Sequence, residues 1–202
     1  HWTESQDDLT RGRIFAQELM KYNRHAKAET VLSKLVAKGG DGEDWLALGV
    51  CQMNQDKFDK AEMTLKGAQN LMKDNPYPAL HMAKLSHAKK DFKAERENIE
   101  RAIQIQAGAV DAWAYLFNFV KEQESEDKAI AAIEELAAAP MNTKTAAPFV
   151  ALQGFYANED DTRDKAIGFA KKGVERAPQD PLALLCLSAL YGQAGKLDEV
   201  IK

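Results

Sequence analysis

The four histidines and two cysteines are the side chains best suited to metal ligation or nucleophilic chemistry, and their spacing argues against both. His81 and His87 stand six residues apart, which turns them about 240° from one another around a helix. One regular helix therefore cannot offer both to a single ion, and His25 is far away along the chain. Cys51 and Cys186 are 135 positions apart, too far for a disulfide in an elongated array, and both read as small apolar helix residues. Free thiols point to a reducing compartment. Asn158, Asp160, Thr162 and Asp164 alternate in the manner of a calcium loop, but the glycine and closing glutamate of such a loop are missing. There is no G-x-S-x-G elbow and no Gly-rich phosphate loop of the Walker type. No cofactor and no metal are expected, and the chain reads as a non-enzyme.

The elements that carry these residues are helices. The 202 residues are 45% hydrophobic and 29% charged, and the stretches between prolines are rich in Ala, Leu, Lys, Glu and Gln, the strong helix formers. No stretch alternates β-branched residues with a period of two, so no sheet is expected. The six prolines fall in pairs, Pro76/Pro78, Pro140/Pro148 and Pro178/Pro181, at breaks between helices. A net charge of −4 disfavours nucleic acid as a partner. The charge is uneven: residues 1–101 carry 17 basic and 16 acidic groups, residues 102–202 carry 10 and 15. No apolar run is long enough to insert in a membrane, and nothing near the start reads as a leader. Because the first residue is His1, the chain is taken as a processed product or a piece of something longer. A cytoplasmic setting is favoured, with a periplasmic or membrane-tethered soluble domain as the alternatives.

The sequence repeats. Trp45, Leu48, Gly49, Phe58, Ala61, Leu65 and Ala68 meet Ala79, Met82, Ala83, Phe92, Glu95, Ile99 and Ala102 at a shift of 34. Related sets start at Gly12, Trp113, Val150 and Leu184, at steps of 33, 34, 34, 37 and 34 along the chain. Within each unit a large residue, another three on and a small one beside it share one helical face, and a second helix repeats the device. A hairpin of this kind cannot bury its apolar faces alone, so the units must stack. The expectation is an all-α, right-handed superhelical solenoid of five and a half to six helix–turn–helix repeats. Its units run over about 9–41, 42–75, 76–109, 110–146, 147–180 and an incomplete 181–202, after an N-terminal extension over 1–8.

These positions resemble the tetratricopeptide-repeat family, over roughly residues 9–202. The second unit carries the signature best with Trp45, Leu48, Gly49, Ala61, Leu65 and Ala68. The fifth carries Gly154, Ala166 and Pro178, and the sixth Leu184, Leu187, Tyr191 and the turn Gly195-Lys196-Leu197-Asp198-Glu199-Val200. Glu95, Phe117 and Gln153 depart from the pattern.

The resemblance implies that first helices line a concave groove where partners bind. Carried onto this chain, the groove residues are Arg13, Gln17, Leu46, Val50, Met53, Tyr77, Lys84, His87, Asn118, Lys121 and Phe155. Apolar and aromatic anchors beside amides and cations suit a partner's peptide or helix. The clamp by which some members hold a chaperone's terminal carboxylate is not matched at Leu80, Lys84, Tyr115, Pro148 or Leu152. The acidic run Glu122, Glu124, Glu126, Asp127 and the basic run Lys89, Lys90, Lys93 read as solvated hairpin tips. The function expected is a protein–protein interaction scaffold or adaptor. The alternatives are the substrate-docking arm of a larger enzyme, such as a glycosyltransferase, and a scaffold that associates with itself.

Overall fold

The computed structural model describes residues 6–196 and residue 198. The start of the expected N-terminal extension, and Leu197, Glu199 and Val200 of the expected last helix, lie outside the described residues. Among the described residues the chain is all-helical. Its helices are α1 (Gln6–Lys21), α2 (His25–Ala37), α3 (Gly42–Met53), α4 (Phe58–Leu71), α5 (Tyr77–Ala88), α6 (Phe92–Ile105), α7 (Val110–Gln123), α8 (Glu126–Ala137), α9 (Ala147–Tyr156), α10 (Arg163–Arg176) and α11 (Pro181–Gln193). The chain divides into two compact units, His1–Asn98 and Ile99–Lys202.

Local chemistry explains where these helices start. Asp41 and Asp44 form a reciprocal capping box at α3. Ser125 caps α8, Asp180 caps α11, and the Asp91 carboxylate accepts from the Ala94 N–H at the start of α6. Pro78, Pro148 and Pro181 sit in the first turns of α5, α9 and α11, where no N–H is missed.

The stops inside hairpins also follow the repeat. Asn23, Asp56, Lys90 and Gly195 all have φ between 55 and 68, and all occupy the same register. The next residue's N–H then reaches the carbonyl five positions back: Arg24 to Leu19, Lys57 to Gln52, Asp91 to Ser86 and Lys196 to Tyr191. This left-handed closure satisfies carbonyls that the helix end leaves open and reverses the chain in three or four residues.

In the first unit, α1 packs on α2, α2 on α3, α3 on α4 and α4 on α5. The core is made of the registered residues. Ala16, Ala28, Leu32, Leu35, Leu48 and Cys51 form one cluster, and Leu46, Ala61, Leu65, Ala68 and Leu85 the next. Close approach is enforced where the repeat has glycine. A Cβ on Gly49 would lie 2.7 Å from Leu65, and one on Gly67 would lie 2.5 Å from the Trp45 ring.

In the second unit, α7 pairs with α8 and α9, α9 with α10, and α10 with α11. Here the repeat lengthens, and the extra residues form a 3-10 turn over Pro140–Asn142 before α9. Asn142 is buried in it and donates from Nδ2 to the Leu136 carbonyl at 2.9 Å. Phe117, standing where other units have Gly, Ala or Ser, is buried and stacks on Phe155 with ring centroids 4.3 Å apart.

Candidate functional site

The expected groove residues lie on successive first helices, α1, α3 and α5 in the first unit and α7 and α9 in the second. In the first unit two of them, Arg13 and His87, are held by side-chain partners that the repeat spacing does not name. Arg13 on α1 grips Asp44 on α3 with two parallel bonds, Nε to Oδ1 at 2.9 Å and Nη2 to Oδ2 at 2.7 Å. Asp44 is 3% exposed, so this fork couples two first helices through a desolvated carboxylate and raises the Arg13 pKa. His87 is bonded to Glu95. Leu46 belongs to the core cluster with Leu65 and Leu85, and Met53 packs against that cluster. Val50 is half-buried, while Gln17, Tyr77 and Lys84 are exposed.

In the second unit, Lys121 bonds Glu126 Oε2 at 2.7 Å. Glu126 is no solvated tip. Its Oε1 also accepts from the Tyr156 hydroxyl at 2.7 Å and from Lys165 at 3.0 Å. Hydrogen bonds from Lys121, Tyr156 and Lys165 hold its pKa down at about 2. The Lys165 ammonium stands 4.1 Å from the centroid of the Tyr156 ring. Phe155 remains 39% exposed above its stack with Phe117, and Asn118 is exposed one residue on.

Two residues that the sequence reading left out continue this surface. Leu182 and Leu185 stand two before and one after Leu184, the offsets of Asp111 and Ala114 from Trp113. They are 45% and 64% exposed on α11, which also contacts α9. The repeat register was signal enough to find them.

The Cys51 thiol is pushed up to about 12 by burial, which leaves almost no thiolate near neutral pH. Cys51 and Cys186 are both free. Among the described residues no three His, Cys, Asp or Glu side chains gather around a common point. No helix among them is long and apolar enough to cross a membrane.

No family model and no curated protein matches the chain. Solved structures do. The yeast Tom70 structure superposes over 87% of this chain with a TM-score of 0.54 and 16% identity. The chain spans only 37% of that protein. TTC0263, a thermophilic TPR protein of Thermus thermophilus, superposes over 90% of this chain and 98% of its own, with a TM-score of 0.54 and 15% identity. YrrB, described as a TPR protein with an unusual peptide-binding site, covers 90% of this chain and 92% of its own at a TM-score of 0.50 and 17% identity. The fold is the tetratricopeptide repeat. Within that fold the departures at Glu95 and Phe117 keep the hairpin register: Glu95 is buried at the site where other units bury alanine, and Phe117 fills the space before a longer connection.

Proposed function

We propose that this chain is a non-catalytic protein-interaction module whose first-helix surface takes an extended peptide or a helix of a partner protein. The observation that carries the reading is the line of exposed apolar side chains on consecutive first helices of the second unit. Phe155 and Leu182 are 39% and 45% exposed at repeat-equivalent groove positions, beside the exposed amide of Asn118, and Leu185, register-mate of the core residue Leu46, is 64% exposed on α11. Contiguous apolar exposure with a polar border is the signature of a docking surface. The peptide-binding site of YrrB, a protein of the same fold, supports the same reading. Within the first unit the same register offers Gln17, Val50, Tyr77 and Lys84, while Arg13 and His87 act as braces of the surface rather than as free donors.

The test is selection of binders from a displayed peptide library, followed by affinity measurement on wild type and Phe155→Ser/Leu185→Ser. Truncating two anchors should weaken binding at least about tenfold with helicity unchanged. Equal affinity in the variant puts the peptide elsewhere and ends this reading.

A further inference from the structure

Four aromatic rings of the second unit form a chain. Phe155 stacks on Phe117 with centroids 4.3 Å apart, Phe117 meets Tyr156 edge-on at 6.4 Å, and Tyr156 stacks on Phe169 at 5.7 Å. Three of these rings carry an ammonium group. Lys121 stands 5.7 Å from the Phe117 centroid, Lys165 4.1 Å from that of Tyr156 and Lys172 5.7 Å from that of Phe169. Phe155 is the most exposed of the four at 39%, and no cation lies over it among the described residues.

The end of the surface beside this ring is acidic. Val110 packs against Ala146 and Val150 near the starts of α7 and α9, and Phe117 meets Phe155 towards their ends. The two helices therefore run parallel and finish together, and each end presents the negative pole of its dipole. The last turn of α9 holds no basic residue to offset it. Four residues beyond Asn118 and Phe155 stand Glu122 and Glu159, both exposed. They share one repeat register, at which the first unit has Lys21, Asn54 and Ala88, so the fold does not require acids there. The cations nearby are already spent. Lys121 and Lys165 both bond Glu126, Lys128 lies 3.7 Å from Glu124, and Arg163 pairs with Asp160. Glu122 and Glu159 make no ion pair among the described residues.

We propose that the surface around Phe155 takes a cationic peptide segment of a partner protein, with an arginine or lysine laid over the open Phe155 ring and its charge turned towards Glu122 and Glu159. This rests on the peptide groove proposed for the same surface and adds the partner's charge to it. Arginine suits the place better than lysine, because a planar guanidinium stacks on a ring while its edge donates to carboxylates. The 15 acidic against 10 basic groups of residues 102–202 draw such a segment in and repel an acidic one.

The probe is a random-peptide display library, panned on wild type and on Glu122→Lys/Glu159→Lys, with the helicity of the variant checked by circular dichroism. Wild-type binders should be enriched at least about threefold in arginine and lysine over the input library and depleted in aspartate and glutamate, and the charge-reversed variant should lose that enrichment. The tightest wild-type binder, resynthesised with citrulline for arginine and acetyl-lysine for lysine, should bind at least about tenfold more weakly, and added salt should weaken the parent peptide more than this neutral twin. Phe155→Ser should weaken the parent by a similar factor. Binders that need Phe155 but show no basic enrichment, or that are indifferent to the neutral replacement or to Glu122→Lys/Glu159→Lys, overturn the cationic partner and leave the peptide groove standing. Binders indifferent to Phe155→Ser, or no binders at all, remove the groove and this proposal together.

Discussion

The Nδ1 atom of His87, in the last turn of α5, lies 3.1 Å from each carboxylate oxygen of Glu95 in the first turn of α6. Glu95 is 1% exposed, at a register where Ala28, Ala61, Ala129 and Ala166 are each 0% exposed. A carboxyl group thus replaces a methyl at the tightest point of the hairpin, and His87 is its side-chain partner. Truncating His87 to alanine should cost about 1–3 kcal/mol, because a buried carboxyl is left without that bond. Glu95→Ala restores the residue that the other units use and should cost less than His87→Ala. The double variant should match Glu95→Ala. Urea titrations of the four proteins give the coupling, and additive losses would mean that the two residues do not depend on each other.

A second expectation concerns glycine. In α4, Gly67 faces Trp45, and a Cβ there would approach the indole to 2.5 Å. Gly173 in α10 would place its Cβ an ordinary 3.5 Å from Phe149. Gly67→Ala should therefore destabilise by about 1–3 kcal/mol through overpacking. Gly173→Ala should be neutral or stabilise by up to about 1 kcal/mol through helix propensity. Thermal melts should place Gly67→Ala below wild type and Gly173→Ala at or above it.

The turn between α5 and α6 offers a gain. Lys90 is held at φ 59, a left-handed conformation that a side chain resists and glycine does not. Its register-mate Gly195 shows the alternative at φ 68. Lys90→Gly should raise stability by about 0.5–1 kcal/mol, and Lys90→Val, β-branched, should lower it. The midpoint of urea unfolding reads both signs.

The acid response should carry the signature of His81. Burial, with Lys84 adding repulsion, drives its pKa from 6.5 to about 4, and its Nδ1 makes no hydrogen bond. The unfolded chain takes up the proton at the ordinary value. Between about pH 6.5 and pH 4 the unfolded state therefore binds more protons, and stability falls as pH falls through that window, by up to roughly 3 kcal/mol. Glu62 and Glu126, held at about 2 by their lysine partners, add losses only below 4.5. His81→Leu should flatten the profile between about pH 6.5 and 4.5 and leave the steeper acid limb. A variant with the wild-type slope in that window would remove His81 from the account.

The residues that make helices and set their period act locally, which is why the sequence alone determined them. Six registered copies of one helical pattern, cap residues such as Asp41, Ser125 and Asp180, and prolines at first turns each act within a few positions of chain. They specify paired helices and stacked units, and the same register contained Leu182 and Leu185. What tertiary structure decided is which polar side chains are spent inside the scaffold. Arg13 meets Asp44 across 31 residues, Lys165 meets Glu126 across 39, and His87 meets a glutamate where the repeat expects alanine. Each of these pairs depends on the distance between neighbouring helices and on how much water the packing excludes, and neither quantity is written in the spacing of one helix. For the same reason burial cannot be read from the register alone. Phe15 looks like Leu48 in the pattern, and only the packing shows that Leu48 is roofed by a helix while Phe15 is 55% exposed.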